Sequence, residues 1–271
     1  MPFLRCPVCA SALALESRVV RCARGHAFDV ARQGYVTLRP PGSKAAGDDA
    51  GMLDAREHFL AAGHYGALRR VLAERAAAVD APGCVADVGA GTGWYLAGVL
   101  DRCTGRVGVA LDASAAALRR AAAAHPRAAG VGADVWAGLP LADGAAAVVM
   151  VVFSPRNAEE FARVLHPGGR LLVLSPTPDH LHEARELLGL LDVEQDKEAR
   201  LEATLSDRFA REHVETLELP MSLTHDDALA LAAMGPSARH TREEELRARV
   251  AAVPRPWRVT ASVRLAVYRP A

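Results

Sequence analysis

The chain has 271 residues, of which 51% are hydrophobic and 24% charged, with 32 basic and 32 acidic side chains that balance to a formal charge of zero. That length can bury one α/β core and leave room for a small appended module, while the balanced charge excludes a uniformly basic nucleic-acid binder. No uncharged apolar run reaches the roughly eighteen residues of a membrane span, and no apolar leader precedes Cys6 and Cys9, so a soluble cytoplasmic protein is expected.

The N-terminal segment carries the densest chemistry. Three of the five cysteines lie in the first 22 residues, and His26 follows. Cys6 and Cys9 enclose two residues, Cys22 and His26 enclose three, and twelve residues separate the pairs. Such spacing lets two tight turns aim four soft ligands at one ion, and a three-cysteine, one-histidine set closes the tetrahedron of structural zinc. The expected ligands are Cys6, Cys9, Cys22 and His26, with the metal folding a module too small to hold a core alone. Cys84 and Cys103 are expected to be ordinary buried thiols. Arg5, Arg18, Arg21 and Arg24 interleave with the ligands, and Phe28 and Tyr35 are candidate stacking faces, a combination suited to a folded RNA. A zinc clip used for dimerisation or lid support is the alternative.

Three zones follow: residues 1–38 as the zinc-binding module, with strand fragments at 17–21 and 27–30; residues 39–53, rich in Pro, Gly and charge, as a flexible linker; and residues 54–271 as the large domain. In the large domain apolar strands are expected at 84–88, 106–111, 129–133, 145–152 and 170–174. Helices at 93–102 and 114–125 separate the first three, the spacing of right-handed βαβ crossovers and hence of a doubly wound, mostly parallel sheet. Strands at 214–219 and 260–268 are expected to form an antiparallel pair at one edge. A second basic stretch runs through 239–269, interrupted by Glu243, Glu244 and Glu245, and reads as a solvated face.

The segment after the first large-domain strand contains Asp87, then Gly89, Gly91 and Gly93 leading into a helix. Strand, glycine turn and helix make a nucleotide-binding first crossover. A dinucleotide site wants a third glycine where this chain has Trp94, whose indole obstructs a pyrophosphate. Asp87 likewise disfavours phosphate and suits a cation such as the methionine ammonium of S-adenosylmethionine. Asp112, about twenty residues on, is placed to accept from both ribose hydroxyls, and Asp134, after the third strand, to meet the adenine amino group. Caps for the following helices are the competing roles of these acids. His180 is expected at a helix start, with Thr177 as N-cap and Pro178 as first residue.

These residues together resemble the RlmA-type bacterial 23S rRNA guanine-N1 methyltransferases, some members of which confer resistance to tylosin and related macrolides. The similarity runs through CPVC with CARGHAFDVARQGYVTL, GDDAGMLDAREHFLAAGHY, DVGAGTGWY, LDAS, FSPRNAEEFARVLHPGGRLLVLSPTPDHLHEAREL and MGPSARH. It implies a class I, Rossmann-like methyltransferase fold with an N-terminal zinc domain. It also implies that Cys6, Cys9, Cys22 and His26 bind zinc and that Tyr65, Gly91, Thr92 and His180 contact S-adenosylmethionine. MGPSARH resembles the branch of Gram-positive bacteria and macrolide producers. The implied partner is a 23S rRNA hairpin near the peptide exit tunnel, held by a homodimer.

Methylation at a protonated ring nitrogen requires a group to take that proton. The loop Phe153, Ser154, Pro155, Arg156 and Asn157 follows the fourth strand, where base-modifying methyltransferases face their substrate. It lacks the Asn-Pro-Pro-aromatic pattern used on exocyclic amines. No general base stands out; Arg156 is a candidate for neutralising the N1 anion or holding a phosphate. A small-molecule methyltransferase that retains the zinc module and a non-catalytic S-adenosylmethionine-binding regulator are the other readings.

Overall fold

The computed structural model describes residues 1–40, 42–43, 47–190, 197–235 and 243–271. Strands Leu13–Glu16 (β1), Val19–Cys22 (β2) and Ala27–Asp29 (β3) form a small antiparallel sheet at the N-terminus. The next strand, Tyr35–Thr37 (β4), belongs to the large sheet, and helices Ala50–Ala61 (α1) and Gly66–Ala77 (α2) follow. The first crossovers are Cys84–Val88 (β5), Trp94–Arg102 (α3), Gly108–Asp112 (β6), Ala115–Ala124 (α4) and Ala128–Gly132 (β7). Then come Ala146–Val152 (β8), Ala158–Val164 (α5), Leu165–Pro176 (β9), His182–Leu188 (α6) and Lys197–Ser206 (α7). The chain ends with Phe209–Leu223 (β10), His225–Ala233 (α8), Glu243–Ala251 (α9) and Trp257–Pro270 (β11).

The large sheet has the order β10-β11-β9-β8-β5-β6-β7-β4. Pairing is parallel from β9 to β4 and antiparallel where β11 meets β9 and β10. Strands β5 and β8 are buried throughout, as a parallel strand covered on both faces must be, and both are accordingly apolar runs broken only by Asp87. Edge strand β10 alternates exposed with partly buried residues instead. The strand order reverses between β5 and β8. A crevice at the carboxyl ends of the strands is therefore expected there.

The expected fold and the antiparallel edge pair are both found. The edge strands run longer than their apolar cores suggested, because ladder hydrogen bonds continue through the polar residues of β10. Two boundaries differ. Tyr35–Thr37, grouped with the zinc module by its sequence, pairs with Gly130, Val131 and Gly132 of β7. Helix α1 begins inside the stretch read as linker, with the Asp49 side chain accepting from the backbone N–H of Met52. The zinc lobe is further held by the segment before β8: the backbone of Phe3 and Arg5 bonds that of Ala142 and Pro140. Arg163 of α5 fixes that segment by donating to the carbonyls of Leu139 and Leu141. Leu4, Leu13 and Val20 share one continuous core with Leu139, Leu141 and Phe161.

The alanine run of α4 has a steric purpose. Gly93 adopts φ +77° as the N-cap of α3, and a Cβ there would lie 2.8 Å from the Cα of Ala121. The two helix backbones meet at this point, so neither position accepts bulk. Gly93→Ala is expected to destabilise the protein by about 2–4 kcal/mol through left-handed strain and overpacking, lowering the thermal midpoint by roughly 5–10 °C in a melt followed by circular dichroism.

Candidate cofactor and metal sites

The turn between β5 and α3 carries the first site. Gly89, Gly91 and Gly93 all have positive φ. At Gly89 the close neighbour is protein: a Cβ would lie 2.5 Å from that of Ser154, whose hydroxyl donates to the carbonyl of Val88. The glycine turn and the loop after β8 are thus one unit.

Asp87 sits at the carboxyl end of the central strand, 2% exposed, and its Oδ1 has no hydrogen-bond partner. Burial, reinforced by the charge of Asp112, pushes its pKa up to about 7. The hydroxyl of Tyr95, on the first turn of α3, is also buried without a partner. Two orphaned polar atoms beside a glycine turn are what a polar ligand would satisfy. Next to them lies Arg56 of α1, which sequence reasoning missed. Its Nη1 is 2.6 Å from Asp48, its Nη2 donates to the carbonyl of Met234 at 2.9 Å, and a Cβ on Gly91 would come within 3.0 Å of Nη1. The signal was weak, since a lone arginine in a charged helix looks like any solvated one.

Asp112 ends β6 with both oxygens engaged, accepting from the backbone N–H of Gly91 at 2.9 Å and of Ser114 at 2.8 Å. Burial raises its pKa against those two bonds. Asp112 therefore braces the turn, and the helix cap belongs to Ser114. Asp134 accepts from the backbone of Trp136 at 3.0 Å and from the Ser43 hydroxyl at 2.8 Å, so the segment before α1 reaches the third strand. Thr92 is buried in the turn.

Tyr65, just before α2, and His180, after β9, both approach Phe153. The ring of Tyr65 lies 6.2 Å from that of Phe153, and the ring of His180 lies 6.0 Å from it. Burial drives the Tyr65 phenol upward and the His180 imidazole down to about 4. His180 is thus neutral. Its Nδ1 is 2.9 Å from the carbonyl of Ser262, which can only accept, so Nδ1 carries the proton and Nε2 is left as an acceptor.

The helix-start reading of His180 is corrected. Thr177 spends its N–H and hydroxyl on Ser262, Leu181 is left-handed at φ 56°, and the helix begins at His182. In the loop after β8, Asn157 is structural: it caps α5 and its amide donates to the carbonyl of Val135. Arg156 keeps a buried Nε with no partner, and burial lowers its pKa. Of the MGPSARH motif, only Met234 and Gly235 fall within the described residues.

The second site is the cysteine cluster. The turn after Cys6 is closed by backbone bonds to Ala10 and Ser11, and the turn after Cys22 by bonds to Gly25 and His26. Ligand atoms of Cys6, Cys9, Cys22 and His26 all lie within 4.8 Å of one another. Cys9 and Cys22 sulfurs are 3.7 Å apart, and Nδ1 of His26 lies 3.3 Å from Cys22 and 3.6 Å from Cys6. The edges of a tetrahedral zinc–thiolate site are about 3.8 Å, so the donor set and its spacing fit zinc. Arg18, Arg21, Arg24 and Arg32 around it are exposed. Phe28, expected as a stacking face, packs against the core instead, and Tyr35 lies in the large sheet. Cys84 and Cys103 are buried free thiols.

Residues 4–46 match the family model of the RlmA N-terminal zinc ribbon, and residues 85–169 match a methyltransferase domain model. A 23S rRNA (guanine(748)-N(1))-methyltransferase of Streptomyces fradiae is 48% identical over 271 residues, covering 99% of this chain and 97% of its own length. A relative from Micromonospora griseorubida, provisionally named for 23S rRNA guanine-N(1) methylation, is also 48% identical, covering 100% and 98%. Among solved structures, a methyltransferase-fold chain from the Haloferax volcanii Trm112 activator complex superposes with a TM-score of 0.53 at 17% identity, over 83% of this chain and 99% of that one, which bears on the fold alone. The chain belongs to the RlmA-type family of S-adenosylmethionine-dependent 23S rRNA (guanine-N1)-methyltransferases, a class I α/β domain joined to a zinc ribbon whose Cys6, Cys9, Cys22 and His26 are positioned to bind the metal.

Proposed function

We propose that this protein methylates N1 of a guanine in a 23S rRNA hairpin near the peptide exit tunnel, acting as a cytoplasmic homodimer whose two zinc lobes embrace the RNA, and that the modification confers macrolide resistance. What carries the donor half of this reading is the buried, unpartnered carboxylate oxygen of Asp87 beside the glycine turn. The RNA half is supported by the exposed arginines of the zinc lobe and by full-length similarity to proteins named for that reaction. Among the described residues no helix is long and apolar enough to cross a membrane.

Bound S-adenosylmethionine supplies an electrophilic methyl group on a sulfonium. In our reading Asp87 holds the donor's ammonium, and Arg56, over Gly91, turns to its carboxylate. Asp112 takes the ribose, Asp134 the adenine amino group, and Gly89, Thr92, Tyr65 and His180 complete the wall. Arg156, with its Nε unspent, neutralises the N1 anion that forms as the base loses its proton. We name no general base. Losing that charge-assisted contact costs about 2 kcal/mol, so Arg156→Ala is expected to lower turnover on the hairpin at least tenfold, with donor affinity retained in calorimetry.

Asp87 gives the donor site a pH signature. Its pKa of about 7 lies above the unfolded value, so the donor-free protein holds an extra proton below that pH and loses stability as pH rises from about 4 to 7. An ammonium favours the ionised carboxylate, so donor binding expels this proton. Affinity is expected to rise roughly tenfold between pH 5.5 and 7, with proton release visible in calorimetry across buffers of different ionisation enthalpy; Asp87→Asn flattens the profile.

Zinc separates an rRNA substrate from a metabolite. Cys22→Ser, or chelation, is expected to abolish methylation of the hairpin while leaving donor binding measurable, because the ligand cluster lies outside the β5–α3 turn. Incubating the intact protein with labelled donor and unmodified 23S rRNA, then mapping primer-extension stops, should give one new stop, since N1-methylguanine cannot pair. Transfer to small metabolites with no stop on RNA would overturn the assignment.

A further inference from the structure

Among the described residues, Phe153 combines a strained backbone with an exposed aromatic side chain. It is a bulky aromatic with φ +52°, a conformation that L residues of its shape rarely adopt. The residue is 41% exposed, so burial does little to offset the strain. Yet the backbone is held in place from both sides. The N–H of Phe153 donates to the carbonyl of Leu174 on β9 at 3.0 Å, and the next residue, Ser154, is fastened to Val88 immediately before the glycine turn. Strain maintained by such bracing at a site mouth points to a use for the side chain. The ring stands at the carboxyl end of β8, beside the strand-order reversal, with Tyr65 and His180 flanking it at inclinations of 40° and 41°. None of the three rings stacks face to face on another.

Guanine N1 lies on the pairing edge, so a guanine methylated there must first leave its partner and its neighbours in the stack. An extruded base needs a replacement π surface, and an exposed phenyl ring at the mouth of the donor site supplies one. We infer that Phe153 is the platform on which the target guanine stacks. This inference rests on the rRNA reading above and adds to it the residue that receives the base. Tyr65, buried, and His180, with its Nδ1 spent on Ser262, are ring neighbours of Phe153 at 6.2 and 6.0 Å, so the base would meet an aromatic cluster and not a lone phenyl.

The test compares Phe153→Ala, Phe153→Leu, Phe153→Tyr and Phe153→Trp in the full-length protein. Transfer to the 23S rRNA hairpin is measured alongside donor affinity by calorimetry and the fluorescence of a hairpin carrying 2-aminopurine at the mapped guanine. Loss of one base–aromatic stack corresponds to about a ten- to hundredfold fall in kcat/KM, which the Ala and Leu variants should show with donor affinity unchanged. Tyr and Trp should restore transfer. 2-Aminopurine should be brighter when bound to the Leu variant than to the parent, where the ring quenches it. Transfer by the Leu variant equal to the parent's, or a loss matched by weaker donor binding, overturns the platform. If the parent protein transfers methyl to small metabolites but never to rRNA, or to nothing, it is the rRNA reading that falls, and the platform with it.

Discussion

Burying a carboxylate without a partner is among the least favourable things a fold can do, and this protein does it at the centre of its sheet. Asp87 interrupts a strand in which every other residue is apolar and buried, and one of its oxygens accepts no hydrogen bond. The surrounding structure keeps it there. Gly89 and Gly91 turn the chain away directly after β5, Asp112 anchors that turn through the N–H of Gly91, and Ser154 pins the neighbouring loop to Val88. A proton meets part of the cost when no cation is near, which is why the carboxyl titrates near neutrality. In the proposed reading, the same energetic deficit is the affinity available to a cationic donor.

The segment between the zinc lobe and α1 links the two halves of the molecule. Ser43 donates to Asp134, Ser114 donates to the carbonyl of Asp48, and the Asp48 carboxylate pairs with Arg56 over Gly91. The zinc lobe itself is sewn to the residues ahead of β8, and β4 extends the sheet beside β7. Through these bonds the lobe is attached to the sheet that carries the glycine turn. Its exposed arginines are therefore presented at a fixed place relative to the carboxyl ends of the strands, which suits a substrate that must touch both.

Three kinds of feature are legible in the sequence. Buried parallel strands must be continuous apolar runs, so β5, β6, β7 and β8 stood out within a residue or two of their ends. The metal ligands were evident because two short knuckles bring their own donors together with little help from the rest of the chain. Asp87 announced itself as a charge in an apolar strand. The misread features were those whose role depends on a distant partner. Thr177 and Pro178 look like a helix start, but Ser262, some eighty residues away, takes the threonine's hydrogen bonds. Residues 39–53 have a linker's composition, yet those nearest α1 are tied to Ser114. Phe28 looks like a stacking face and packs, partly buried, against the core.

By itself the sequence determined the periodicities, the glycine turn and the local metal knuckles, because each depends on residues a few positions apart and on backbone sterics common to all chains. Only the tertiary structure decided that Arg56 lies over Gly91, that His180 is neutral with a free Nε2, that Arg156 retains an unspent donor and that Phe153 is held strained and exposed beside Tyr65 and His180. Those properties come from burial and from neighbours brought together by the sheet's strand order, and neither is encoded in the spacing of residues along the chain.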